Sequence, residues 1–274
     1  MRVRLAIVLM TAASLVTLAP SARAATATPS WAPAATAAVH PGVQTLTAGA
    51  QCTADFVFTD GVDVFIGQAA HCAGTGAATD TNGCVAKSLP LGTKVDITGA
   101  TQPGVLVYSS WLTMQARHEK DAETCAYNDI GLVRLDRRDR SKVNPSVPHW
   151  GGPVALGGPT QFGDPVFSYG NSELRAGISQ LSPKQGYSLG DSPGGWDHTV
   201  YTVTPGIPGD SGSAFLDGDG KAIGVLSTID ITPTPAANEV VDLAHMLGYL
   251  HTHSTFTAVQ LARGTQAFTP PLVY

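Results

Sequence analysis

Three short segments of the chain hold the residue types that can activate a hydroxyl for attack on a carbonyl. Ala69-Ala70-His71-Cys72 offers an imidazole, Asn128-Asp129-Ile130-Gly131-Leu132 a carboxylate, and Gly209-Asp210-Ser211-Gly212 a hydroxyl between glycines. A serine hydroxyl is a weak nucleophile until a base takes its proton. An imidazole that titrates near neutrality can take that proton and later return it to the leaving group. A carboxylate on the second ring nitrogen fixes the tautomer and stabilises the imidazolium. Each segment alone has a plainer reading, as a core histidine, a strand start and a turn. Gly190-Asp191-Ser192-Pro193 repeats the third pattern with proline in place of the closing glycine and no strand around it, so Ser192 reads as a loop residue. The conjunction carries the signal: His, Asp, Ser in that order, separated by 58 and 82 residues.

The elements that must position these groups read as short strands between turns. Residues 54–59 and 62–67 flank Asp60-Gly61, a hairpin pattern. Further strands are expected at 93–97, 104–108, 130–135, 166–169, 200–204, 213–216 and 222–227. One helix is expected, where Asp242 precedes Leu243, Met246, Leu247 and Leu250 at helical spacing. Asp217-Gly218-Asp219-Gly220 looks like the start of a calcium loop. Lys221 and Thr228 stand where such a loop needs a ligand and its closing glutamate, so a hairpin turn is expected. His251 and His253 are alternate residues, which do not face one another on a helix, and read as polar residues at its end.

Composition narrows the function. The 274 residues are 43% hydrophobic and 14% charged, against an average of about 25% charged, which excludes a disordered chain. A net charge of −5 makes the chain a poor nucleic-acid binder, and no nucleic-acid partner is expected. Arg2 and Arg4 open the chain, an apolar run covers 5–18, and Ala22 and Ala24 form a small-residue cleavage pattern. Residues 1–24 are therefore expected to be a signal peptide, since the 14-residue apolar run is too short for the roughly 20 residues of a membrane span. Residues 25–41 read as a flexible Ala/Thr/Pro-rich leader and 255–274 as a tail. The expected product is secreted, extracellular and monomeric, with no membrane partner. Cys52, Cys72, Cys84 and Cys125 imply two disulfides in that compartment, with three connectivities open. Their spacing suits no common zinc site, and no metal is expected.

The three segments, in this order, resemble the chymotrypsin/trypsin family of serine proteases, in its secreted bacterial form. The resemblance covers roughly residues 42–252. It implies an all-β fold of two packed antiparallel β-barrels, about 42–140 and 141–254, with a C-terminal helix. It makes Ser211 the nucleophile, His71 the general base and acid, and Asp129 the orienting carboxylate, with no cofactor. Gly209 and Ser211 would supply the oxyanion N–H groups. It also implies a Cys52–Cys72 bridge, leaving Cys84 with Cys125. Ser227 matches the family's serine that bonds the catalytic aspartate. Pro205 stands where trypsin-like members carry an acid, so cleavage after Arg or Lys is not expected. Ile229 stands where the family often has glycine, which points to small apolar P1 residues. Asp210 lacks a matching Ile-Val-Gly-Gly amine, and Arg175 and Arg134 are both possible partners. The implied activity is hydrolysis of protein or peptide substrates. A silent homologue acting as a binding module and an esterase on the same scaffold are the alternatives.

Overall fold

Alternating burial along short runs drives the chain into two antiparallel sheets. Residues 94–97 show the pattern: Lys94 and Asp96 face solvent, while Val95 and Ile97 are buried. The computed structural model describes residues 29–77, 79–230 and 234–271. The expected signal peptide lies outside the described residues. Among the described residues, no helix is long and apolar enough to cross a membrane.

The first half holds β1 (Gln44–Thr47), β2 (Ala50–Thr53), β3 (Val57–Thr59), β4 (Val64–Gln68), β5 (Lys94–Ile97), β6 (Gly104–Ser109) and β7 (Gly131–Arg134). Two helices lie between its last two strands, α1 (Ser110–Arg117) and α2 (Ala122–Tyr127). The second half holds β8 (Pro165–Tyr169), β9 (Pro183–Asp191), β10 (Asp197–Thr202), β11 (Ala214–Asp217), β12 (Ala222–Ile229) and β13 (Asn238–Asp242). Then come α3 (Leu243–His253) and β14 (Gln260–Leu261). The second half closes as a six-stranded barrel, β10-β13-β12-β11-β8-β9. The first is an eight-stranded sheet, β14-β3-β4-β7-β6-β5-β1-β2, which curves as a half-barrel without closing. Its β2 edge is used across the cleft instead, where Thr53 N–H donates to the Ser211 carbonyl (2.8 Å).

Three apolar clusters hold the halves. Val57, Ile66, Val95, Leu106 and Val133 fill the first sheet. Val166, Val200, Phe215, Ile223, Leu226 and Val240 fill the second barrel. A third layer lies between them, where Phe56, Phe58, Tyr108 and Leu132 meet Phe167, Leu216, Val225 and α3 residues Met246, Leu247 and Leu250. The cleft therefore forms only when both halves fold. The cap expected of Asp242 is present: its carboxylate accepts the His245 N–H (2.6 Å). The Asp217 to Gly220 segment is the β11–β12 turn, with Asp217 accepting from the N–H groups of Asp219 and Lys221.

Two expectations change. The described part of the leader is not loose: Val39 is fully buried and bridges Val143, and Trp31 packs on the first half. Isolated apolar residues in an Ala/Thr/Pro context carry no periodicity, so only the tertiary fold reveals that they are buried. The tail adds β14 to the first sheet by pairing with β3. Phe256 packs edge-on to Phe65 and Tyr108, and Phe268 packs on Phe167 of the second barrel.

The disulfides are Cys52–Cys72 and Cys84–Cys125. Closing loops of 20 and 41 residues contributes about 3 and about 4 kcal/mol by the chain-entropy argument. The first joins β2 to the turn that carries His71. The second ties α2, just before Asp129, to the loop after that turn.

Candidate active site

His71 sits in a single 3-10 turn, Ala70–Ala73, that ends β4. Asp129 sits just before β7, where Ser110 grips both of its neighbours. The Ser110 hydroxyl donates to the Asn128 carbonyl (2.7 Å) and accepts the Ile130 N–H (3.0 Å). The Asp129 side chain is 3% exposed, so its charge needs partners. Oδ1 accepts the His71 backbone N–H (2.8 Å), and Oδ2 lies 2.6 Å from His71 Nδ1. The Ser227 hydroxyl donates to the same Oδ2 (2.7 Å). Ser227 is aimed there by a register shift in the β12–β13 ladder between Leu226 and Thr228.

Burial by itself would lower the His71 pKa, but the charge and hydrogen bond of Asp129 outweigh it and hold the imidazole above its ordinary value. Burial would likewise raise Asp129, and His71 with Ser227 reverses that, so the carboxyl stays below the ordinary range. With Nδ1–H committed to Asp129, Nε2 is the basic nitrogen. Cys52, His71 and Cys72 lie close together, but the two sulfurs are bonded to each other, which removes them as metal ligands.

Ser211 and His71 line the same cleft, of about 650 Å³. The Ser211 hydroxyl has no hydrogen bond among the described residues. Such contacts commonly tighten only with substrate bound. The loop that carries it is held carbonyl by carbonyl. Ile207 O accepts from Asp210 N–H (2.8 Å), and Pro208 O from the Ser172 hydroxyl (2.6 Å). Gly209 O accepts from Gln51 Nε2 (3.0 Å) and the Thr53 hydroxyl (2.8 Å), both on β2. Asp210 O accepts from Ser213, and Ser211 O from Thr53 N–H. The Gly209 and Ser211 N–H groups donate to no acceptor among the described residues. Gly209 has φ +95°, and a Cβ there would strike Gln51, so glycine is required. Two free donors on a pinned loop are what a developing oxyanion needs.

Asp210 is fully buried and sits in a buried ion cluster. Of the two expected partners, Arg175 pairs with it, while Arg134 faces Asp63 at 3.8 Å. A second cation was not expected: Lys184 Nζ lies 2.9 Å from Asp210 Oδ2. The cleft wall includes Ile207, Leu226, Ser227, Thr228 and Ile229. Pro205 is not part of it. Its side chain is exposed, and its carbonyl accepts from Arg175 and Lys184 (3.2 Å each). A pocket-base role for Pro205 is therefore corrected: the loop turns at that residue, and Leu226 abuts Gly206, where a Cβ would lie 2.8 Å from its Cδ2.

A second histidine cluster lies in the second barrel. His198 is fully buried, with Nδ1 2.7 Å from Asp191 and Nε2 3.1 Å from Asp242. Burial opposes its charge, but hydrogen bonds and charge from both carboxylates push its pKa up to about 9. A raised pKa means stability that is whole below the unfolded value of about 6.5 and lost as pH rises through about 9. The wild-type advantage over His198→Gln in urea unfolding is expected to shrink by about 3 kcal/mol across that window. A difference independent of pH would contradict the charged pairing.

Two antiparallel β halves, the second a closed barrel, meeting at a cleft and followed by a helix make the chymotrypsin fold. The His and Ser of the three segments line that cleft, with the Asp hydrogen-bonded behind the His. Among solved structures, the chain is similar to Thermobifida fusca protease A, with a TM-score of 0.51 and 18% identity over 83% of this chain and 100% of that one. It is also similar to a glutamic-acid-specific serine protease described as using a histidine triad in substrate binding, with a TM-score of 0.50 and 17% identity over 82% and 100%. No family model and no curated relative matches the chain.

Proposed function

We propose that this protein is a secreted serine endopeptidase that hydrolyses peptide bonds through an acyl-enzyme. One observation carries the reading: a buried Asp129 bonded to the ring and backbone of His71 and to Ser227, with Ser211 in the same cleft on a loop whose Gly209 and Ser211 N–H groups have no acceptor among the described residues. Ser211 attacks, His71 takes its proton and returns it to the leaving amine, and Asp129 stabilises the imidazolium. The Gly209 and Ser211 N–H groups receive the oxyanion. The signal pattern at residues 1–24 and two disulfides support export.

The test is fluorophosphonate labelling with peptide mapping. Modification at Ser211, abolished in Ser211→Ala and His71→Ala, is the expected result. Folded, disulfide-bonded protein that takes no label would instead favour a silent binding module.

The P1 residue is small and apolar in this reading. Ile207, Leu226 and Ile229 line the cleft wall that also holds Ser211. Ile229→Gly is expected to raise kcat/KM for Phe over Ala at P1 by about tenfold, the scale of one to two methylenes in a pocket. Preference of the wild type for Lys or Arg peptides would overturn this.

A further inference from the structure

Lys184 is the most unusual buried group outside the triad. Its side chain is 0% exposed. An ammonium has three donors, and each has an acceptor here: Asp210 Oδ2 at 2.9 Å, Thr204 O at 3.0 Å and Pro205 O at 3.2 Å. Arg175 already neutralises Asp210, so a second cation is not needed to balance charge. A buried cation costs free energy that an apolar side chain of the same length would not. The space for it is also reserved. A Cβ on Gly170 would lie 2.4 Å from Asp210 Oδ1 and 2.7 Å from Lys184 Cε.

The acceptors explain the arrangement. Thr204 and Pro205 begin the loop that ends at Ser211, and Asp210 stands between the two oxyanion donors. Lys184 joins the start of this loop to its far end and anchors both to β9. We propose that Lys184 is a positioning residue for the oxyanion loop, holding residues 204–210 as one unit so that the Gly209 and Ser211 N–H groups stay available to an oxyanion. This rests on reading Ser211 as the nucleophile.

A pH dependence follows. The charged groups facing Lys184 are Asp210, from the loop, and Arg175, from the turn after β8. Its cross-strand neighbour on β8 is the uncharged Ser168. Burial and the Arg175 charge lower the Lys184 pKa against the pull of Asp210. Raising the pH removes one donor and the charge, and leaves Arg175 alone on the Pro205 carbonyl and Asp210.

The test compares the wild type with Lys184→Met, which keeps the stem and removes the donors, and Lys184→Arg, whose cation does not titrate in the working range. The first readout is hydrogen–deuterium exchange of peptides spanning 203–213, which needs no activity. The second is kcat and KM on a peptide amide with Ala at P1, from about pH 6 to about pH 10. In Lys184→Met, exchange in that segment is expected to rise by about tenfold, with β3–β4 peptides unchanged. Its kcat is expected to fall by about tenfold or more while KM moves less than about threefold. Lys184→Arg is expected to restore protection and to carry the alkaline limb of kcat to higher pH. Wild-type exchange in folded Lys184→Met, or an unchanged alkaline limb in Lys184→Arg, would overturn the proposal. If Lys184→Met does not fold, the Lys184→Arg limb decides. A wild type that neither labels nor turns over the peptide would end the protease reading, and the exchange data would still decide on Lys184.

Discussion

Replacing Ser211 with alanine is expected to lower kcat on a peptide amide by about a million-fold, and His71→Ala by about as much. Either change removes the route by which the hydroxyl loses its proton, so neither residue retains its function without the other. The double substitution should therefore cost no more than each single one. Residual hydrolysis should persist at about a thousand-fold over water, because the Gly209 and Ser211 N–H groups remain on their pinned loop. Steady-state kinetics on the three variants, with matched circular dichroism, checks this. Additive losses would mean that Ser211 and His71 work in separate steps.

Asp129→Asn is expected to lower kcat by about ten-thousand-fold while the chain stays folded. The carboxamide fits the same space, but its nitrogen cannot accept from both His71 Nδ1–H and the Ser227 hydroxyl, which share Oδ2. The imidazole is then free to take the other tautomer and present a protonated Nε2 to Ser211. The sign of the pH effect is also defined. Asp129 holds the His71 pKa above its ordinary value against burial. Removing the anion leaves burial unopposed, so the acid limb of kcat/KM should move to lower pH in Asp129→Asn. A limb that moves upward, or a loss of only a few-fold, would show that Asp129 does not act through the ring. Ser227→Ala should shift the limb much less, since it removes one hydrogen bond and no charge.

The two effects rest on different kinds of information. His71, Asp129, Ser211 and Ser227 were legible because each sits in a local pattern that names its residue type: a histidine before a cysteine, an aspartate opening a strand, a serine between glycines, a serine ending a strand. The helix after Asp242 was legible for the same reason, because capping and 3.6-residue spacing are local. The groups that hold the serine loop were not. Gln51 and Thr53 bond the Gly209 carbonyl from 158 and 156 residues away. Lys184 lies in β9, where Pro183, Gly186 and Gly190 mask the strand pattern. α1 was missed because Ser110, Trp111 and Thr113 are weak helix formers, held helical by the Ser109 cap and by burial of Trp111 and Met114.

Sequence alone determined the chemistry available, its order along the chain, and the β-rich character that alternating apolar residues impose. Tertiary structure decided how that chemistry is held. It placed the partner of Asp210 in a buried cluster of two cations, removed Pro205 from the cleft, and left the first sheet open so that its edge could grip the serine loop. The physical reason is that a residue type specifies which hydrogen bonds a group can make. Which partner it meets depends on loop paths and on what burial leaves unsatisfied, and those are properties of the packed chain.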